Sequence, residues 1–220
     1  MDSVVRISVT PRITGRNRLT TFFRLILAIP HGLLVGGGDD GPGLIGIPAY
    51  VMAVFSWFTI VFTGRHFQGM RDFAQYYLRW RVRALAYVML LEDKYPPFGD
   101  GDGSYPATLS VPDPTKERDR LTVGLRALLV IPHVIVLFVL LVGWIFVTIL
   151  AWFSILFTGA YPAGLAPFSI GVLQYAARVE AYMLLLVDDY PPFDVEMPDL
   201  PPSHTYPPPP SPPAAPALSE

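Results

Sequence analysis

Two arginines and two histidines stand inside otherwise apolar stretches: Arg24 and His31 in the first quarter of the chain, Arg126 and His133 past its middle. An ionisable group in an apolar span is by default a functional candidate. An imidazole there is able to relay a proton or ligate a metal, and a guanidinium is able to hold the phosphate of an anionic lipid headgroup. Each has a plainer role. Both histidines follow a proline in Ile-Pro-His, and a proline inside a helix frees the carbonyl four residues back, here Ile26 and Leu128. A histidine at such a kink satisfies polar groups, and an arginine one turn inside a helix snorkels to the headgroups or pairs with an acid.

The acids for that pairing are Glu92-Asp93 and Asp188-Asp189, at the ends of later helical stretches. Negative charge there opposes the helix dipole, which a cation relieves. The spacing therefore predicts that Arg24 or Arg18 approaches Asp93, and that Arg126 or Arg120 approaches Asp188.

Other chemistry is poorly served. Two histidines without a third ligand make a weak metal site, and with no cysteine in the chain thiolate ligands and disulfides are excluded. Asp100-Gly-Asp102-Gly-Ser104 opens like a calcium loop, but Tyr105 replaces the needed glycine and Val111 the closing glutamate. The run Gly36-Gly37-Gly38 lacks the Gly-Lys-Ser/Thr of a phosphate loop. No nucleophile, histidine and carboxylate set stands out. The expectation is a non-enzymatic protein with no catalytic residues, no metal, no cofactor and no nucleic-acid partner.

These candidates recur because the chain is duplicated. Ile29-Pro30-His31, Trp57-Phe58, Phe62-Thr63-Gly64 and Tyr95-Pro96-Pro97-Phe98 return as Ile131-Pro132-His133, Trp152-Phe153, Phe157-Thr158-Gly159 and Tyr190-Pro191-Pro192-Phe193. Arg24, Arg83 and Tyr87 match Arg126, Arg178 and Tyr182. The boundaries read as a first repeat over 1–99, a second over 100–193 and a tail over 194–220.

The elements that carry them are greasy. Mean hydropathy is +0.42 and only 15% of residues are charged, against about 25% in ordinary soluble domains. From Val134 to Phe157 nothing is ionisable, long enough to span a bilayer. In the first repeat the spans read as about 19–35 and 44–63, separated by the Gly-rich loop at Gly36–Pro42. The second repeat lacks that loop. Insertions survive in exposed turns, so its apolar run is cut by analogy into spans of about 121–141 and 143–158, turning near Leu141-Val142-Gly143. One long helix from Pro132 is the rival reading. A third helix follows each hairpin, over about 68–92 and 167–188. In the first, Phe73, Tyr77, Trp80, Ala84, Tyr87 and Leu91 share one face and Arg71, Arg79 and Arg83 lie largely off it, the pattern of an amphipathic interfacial helix.

The fold class is thus an all-α integral membrane protein of two tandem repeats, each a transmembrane helical hairpin plus an interfacial helix. Val5, Ile7 and Val9 alternate, as do Ala107, Leu109 and Val111, so each repeat also predicts a short surface strand able to pair with the other. With the third helices lying flat, every Lys and Arg falls on one side, which places both termini in the cytoplasm by the positive-inside rule. The Pro-rich tail predicts disorder with polyproline-II bias.

The combined pattern Arg-x5-Arg, Ile-Pro-His, Phe-Thr-Gly and Tyr-Pro-Pro-Phe, present once per repeat, resembles the bacterial, largely actinobacterial, membrane-protein family catalogued as domain of unknown function 4389. That family's pattern usually continues Phe-Thr-Gly with Arg-Tyr-Pro; here the copies read Arg65-His66-Phe67 and Ala160-Tyr161-Pro162, each keeping part. The resemblance implies a multi-pass protein of the bacterial plasma membrane and brings no activity or ligand. The expected function is a scaffold or accessory subunit of a membrane complex, its partners the bilayer, anionic headgroups and a protein bound by the tail. A carrier or channel through the repeat interface is the alternative.

Overall fold

The computed structural model describes residues 5–37, 41–101, 103–112 and 119–198. It is mostly helical. After strand β1 (Arg6–Val9), the first repeat has α1 (Arg18–Phe22), α2 (Arg24–Val35), α3 (Gly43–Thr63) and α4 (Gln68–Val88). The second opens on β2 (Ala107–Ser110) and continues with α5 (Arg120–Gly124), α6 (Arg126–Leu129), α7 (Ile131–Thr158) and α8 (Ala166–Met183). The two strands, one from the start of each repeat, pair antiparallel with Ile7 opposite Leu109 and Val9 opposite Ala107.

The expected hairpins are absent. There is no turn at Leu141-Val142-Gly143: α7 runs unbroken through it for 28 residues. In the first repeat α2 and α3 are laid end to end rather than folded back. Followed from its C-terminal end to its N-terminal end, α4 meets them in sequence order. Tyr87 lies under Arg24, Trp80 bonds His31, Arg81 bonds the Val35 carbonyl, Tyr77 packs on Tyr50, and Met70 takes the Ser56 hydroxyl. The 12 residues of α2 and the 21 of α3 together match the 33 of Arg126–Thr158. Each repeat therefore has one long rod. In the first, the rod is interrupted between Val35, where α2 ends, and Gly43, where α3 begins. Gly43 takes a positive φ of 71°, and a Cβ there would lie 2.5 Å from the Gly36 nitrogen, so the rod resumes beside the point where it broke off. At about 1.5 Å per residue each rod is about 50 Å long.

The third helices are not amphipathic helices on a membrane surface. They form the protein core. In α4 Tyr77, Leu78, Trp80, Ala84 and Tyr87 are buried, and so are Arg71, Arg81 and Arg83; α8 is enclosed in the same way. Periodicity misplaced Arg71 and Arg83 because their partners belong to other elements. Arg71 donates to the Leu186 and Pro112 carbonyls, and Arg83 to Gly99 O and Asp100. A buried guanidinium is tolerable when its donors are so engaged.

α4 and α8 are antiparallel. Arg71, in the first turn of α4, reaches past the end of α8, while Tyr77 and Arg81 meet Glu180. The rods are antiparallel too, since each ends on the first short helix of the other repeat. Trp57 Nε1 donates to Val123 O at 2.8 Å, and Trp152 Nε1 to Thr21 O at 3.0 Å. A pseudo-two-fold axis thus runs perpendicular to all four long elements, and the strand pair straddles it. The rods make one layer. α4 and α8 make the next, and the strands pack below them, where Gln174 bonds the backbone of Ile7 and Val5.

Residues 194–198, assigned by sequence to a free tail, stay on the body. Arg178 Nη2 lies 2.6 Å from Glu196 Oε2, and the Glu196 carbonyl crosses Gly171 so closely that a Cβ there would meet it at 2.9 Å. The rest of the Pro-rich segment, like Asp39, Asp40, Lys116 and Arg118, lies outside the described residues.

Candidate functional site

Each rod begins with an arginine and a histidine seven residues apart, two helical turns on one face, and both point at the return helix. In the first repeat Arg24 is 1% exposed. Its Nη2 lies 2.8 Å from Asp93 Oδ1, its Nη1 donates to Glu92 O at 2.9 Å, and its guanidinium sits 3.9 Å over the Tyr87 ring. Asp93 also takes Arg16 Nε at 2.9 Å and accepts the Asn17 N–H at 2.9 Å. In the second repeat Arg126 Nη2 lies 3.0 Å from Asp188 Oδ1, Nη1 donates to Tyr182 O and Val187 O, and the guanidinium sits 4.2 Å over Tyr182. The neighbouring arginines Arg18 and Arg120 stay exposed.

The histidines are equally enclosed. His31 accepts the Trp80 indole N–H on Nδ1 at 3.0 Å, stacks on Phe98 at 4.6 Å and 17°, and touches Tyr95 at 4.9 Å. The Trp80 donor puts the His31 proton on Nε2. His133 pairs through Nδ1 with the Tyr175 hydroxyl at 2.6 Å, stacks on Phe193 at 4.3 Å and 11°, and touches Tyr190 at 4.7 Å. Tyr-Pro-Pro-Phe is therefore a clip. Its tyrosine leans on the aromatic that backs the arginine, Tyr87 or Tyr182, and its phenylalanine covers the histidine. In the second repeat the Tyr190 hydroxyl also donates to Leu129 O, at the break between α6 and α7.

What brings the clip round is a tight reversal after each return helix. Leu90 and Leu185 take positive φ values of 59° and 60°, and the next amides bond back to Ala86 O and Ala181 O. This is a left-handed helix stop, normally glycine, here formed by a leucine whose burial offsets the strain. No residue type in the sequence signals it.

Electrostatically the first site is dense. Burial, opposed by Asp93, lowers the Arg16 pKa to about 10, and burial pushes the Glu92 carboxyl above its usual range against the pull of Arg16. A lipid phosphate reaching Arg24 or Arg126 would have to displace an aspartate already in place. Arg24 and His31 are held by their own repeat, Arg126 and His133 by theirs, and the four share no chamber. Among the described residues no three His, Asp or Glu side chains are grouped to hold a metal ion. The arrangement is a pair of equivalent pins, each locking a rod to its return helix and to the loop beyond it.

Fold and site together define an internally duplicated, mostly helical protein with two helices long and apolar enough to cross a membrane. The chain belongs to the family described as Domain of unknown function (DUF4389), whose model matches residues 18–99 and 120–194, once per repeat. No curated protein and no solved structure matches the chain.

Proposed function

We propose that this protein is a non-enzymatic scaffold or accessory subunit seated in a cell membrane, with its charged layer and both termini on the cytoplasmic side. One observation carries the reading: large apolar side chains are exposed in unbroken succession along both rods, with smaller exposed groups on the short helices and the Tyr-Pro-Pro-Phe segments. On α7 Val134, Ile135, Phe138, Val142, Ile145 and Phe146 open a stripe that continues to Phe157; Leu25 to Phe62 do the same on α2 and α3. Soluble monomers rarely expose contiguous apolar patches above a few hundred Å². By contrast, α4 exposes only Gln68, Gly69 and Asp72. The opposite layer is built of ion pairs, Pro-rich loops and the start of the tail, a surface suited to docking a protein. The pins give that layer rigidity, which a scaffold requires and a moving carrier does not.

The test is purification of the full chain in mild detergent, identifying co-purifying proteins by mass spectrometry, alongside a chain ending at residue 198. The reading expects the protein in the membrane fraction and at least one partner that depends on 199–220 or on the charged layer. Solute flux in proteoliposomes, retained by the shortened chain, would instead support a carrier.

A further inference from the structure

We infer that the two rods lie in the plane of the membrane, side by side within one leaflet, and do not cross it. This rests on the membrane seat proposed above and adds its geometry. The partner is the acyl layer of a single leaflet, with anionic headgroups at the ends of the rods.

Three observations carry it. First, a rod of about 50 Å exceeds a hydrocarbon layer of about 30 Å by far more than tilt and bilayer thickening ordinarily absorb. Second, the Gly36–Pro42 loop leaves the first rod after the 12 residues of α2, about 18 Å from its start. A rod centred across a bilayer would put this break between α2 and α3 inside the hydrocarbon, where unpaired peptide groups are costly. On either side of the break the backbone is held toward α4, whose Arg81 bonds the carbonyls of Val35 and Gly41.

Third, the rods are antiparallel, so their basic flanks fall at both ends of the molecule. Arg12, Arg16, Arg18 and Arg24 stand at one end, Arg65, Arg71, Arg120 and Arg126 at the other. Crossing rods would put one set on each side of the membrane, against the bias that keeps Lys and Arg on the cytoplasmic side. In-plane rods keep them together. The two-fold axis then runs along the membrane normal, both apolar stripes face the acyl chains, and α4, α8 and the strand pair face water. Exposed Arg18 lies over Gly159 at one end and exposed Arg120 over Gly64 at the other, each where a rod meets the headgroups.

The chain has no cysteine, so single cysteines report cleanly. Thr14→Cys and Asp72→Cys are exposed at opposite ends of the molecule. In sealed vesicles of one orientation, a membrane-impermeant maleimide is expected to label both from the same face, to the same extent as after detergent. A fluorophore on Val142→Cys, mid-rod, is expected to be quenched by lipids brominated near the headgroup more than by lipids brominated at the chain end. Labelling of Thr14→Cys and Asp72→Cys from opposite faces, or strongest quenching from the chain ends, overturns the in-plane seat while leaving the membrane reading intact. A chain that fails to float with liposomes removes both. Raising the anionic lipid fraction is expected to increase binding at low salt, and Arg18→Gln with Arg120→Gln to remove the increase.

Discussion

Arg81 of the first repeat and Glu180 of the second meet beside the pseudo-two-fold axis, with Arg81 Nε 3.0 Å from Glu180 Oε2. The other carboxylate oxygen accepts the hydroxyls of Tyr77 and Tyr50 at 3.0 and 3.2 Å. The cluster has no copy across the axis, because Ala176 stands where Arg81 would repeat and Leu85 where Glu180 would. It ties α4, α8 and the first rod into one body. Glu180→Gln removes the charge that the buried Arg81 Nε faces, a loss of about 3–5 kcal/mol. Arg81→Met with Glu180→Leu is expected to recover most of it. Thermal unfolding of the three variants in one detergent measures this; a double variant as unstable as the single would refute the pairing.

The two arginine pins differ in exposure. The Asp93 side chain is 7% exposed, whereas that of Asp188 is 25% exposed. Asp93→Asn is therefore expected to lower the unfolding temperature clearly more than Asp188→Asn, by roughly 2–3 kcal/mol against about 1. Equal losses would count against the inequality of the two sites.

His31→Phe keeps the stack on Phe98 but leaves the Trp80 indole N–H buried without an acceptor, costing about 1–3 kcal/mol. Adding Trp80→Phe removes the orphan donor and should return part of that loss. The same logic gives His133→Phe with Tyr175→Phe. Limited proteolysis after Phe98 and Phe193 reports whether the clip stays closed.

Glu92 supplies the pH dependence. Burial raises its folded pKa above the ordinary 4.5, so the folded state binds its proton more readily than the unfolded chain. The resulting stability is present in full below the unfolded value and is lost as pH rises through the folded one. Glu92→Gln, which cannot ionise, should unfold at a higher temperature than the natural chain at pH 7 and converge with it near pH 4. An unfolding temperature below the natural chain's at pH 7 would mean that attraction to Arg16 outweighs burial.

Much of this was legible in the residues themselves. Duplication is visible because Ile-Pro-His and Tyr-Pro-Pro-Phe are held by contacts that each repeat needs in full. The strand pairing is visible because Val5, Ile7 and Val9 alternate against Ala107, Leu109 and Val111. The approach of Arg24 to Asp93 follows from an acid at a helix end that needs a cation. Continuity of the rods was hidden because α7 is apolar all round, so nothing between Val134 and Phe157 distinguishes a turn from a straight run. The glycine-rich segment then pointed the wrong way, since a break in a rod and a hairpin tip have one composition. Burial of Arg71 was hidden because it donates to the Leu186 and Pro112 carbonyls, which carry no residue signature, and burial of Arg83 because Gly99 O and Asp100 meet it from the loop after the helix. Trp57 and Trp152 stand in the sequence only as matching positions of the two repeats, and the antiparallel arrangement shows each closing on the opposite repeat.

Those reciprocal indoles make the halves mutually dependent. Severed from its sibling, residues 1–99 would present a tryptophan with no carbonyl to cap, a strand without a neighbour and a return helix bare along one side. All three deficits are self-complementary under the same rotation, so the isolated half should assemble with itself as a symmetric pair. The junction at 99–100 fuses what is in shape a homodimer, which frees each half to lose what the other retains, as the interrupted first rod and the Arg81–Glu180 tie already record.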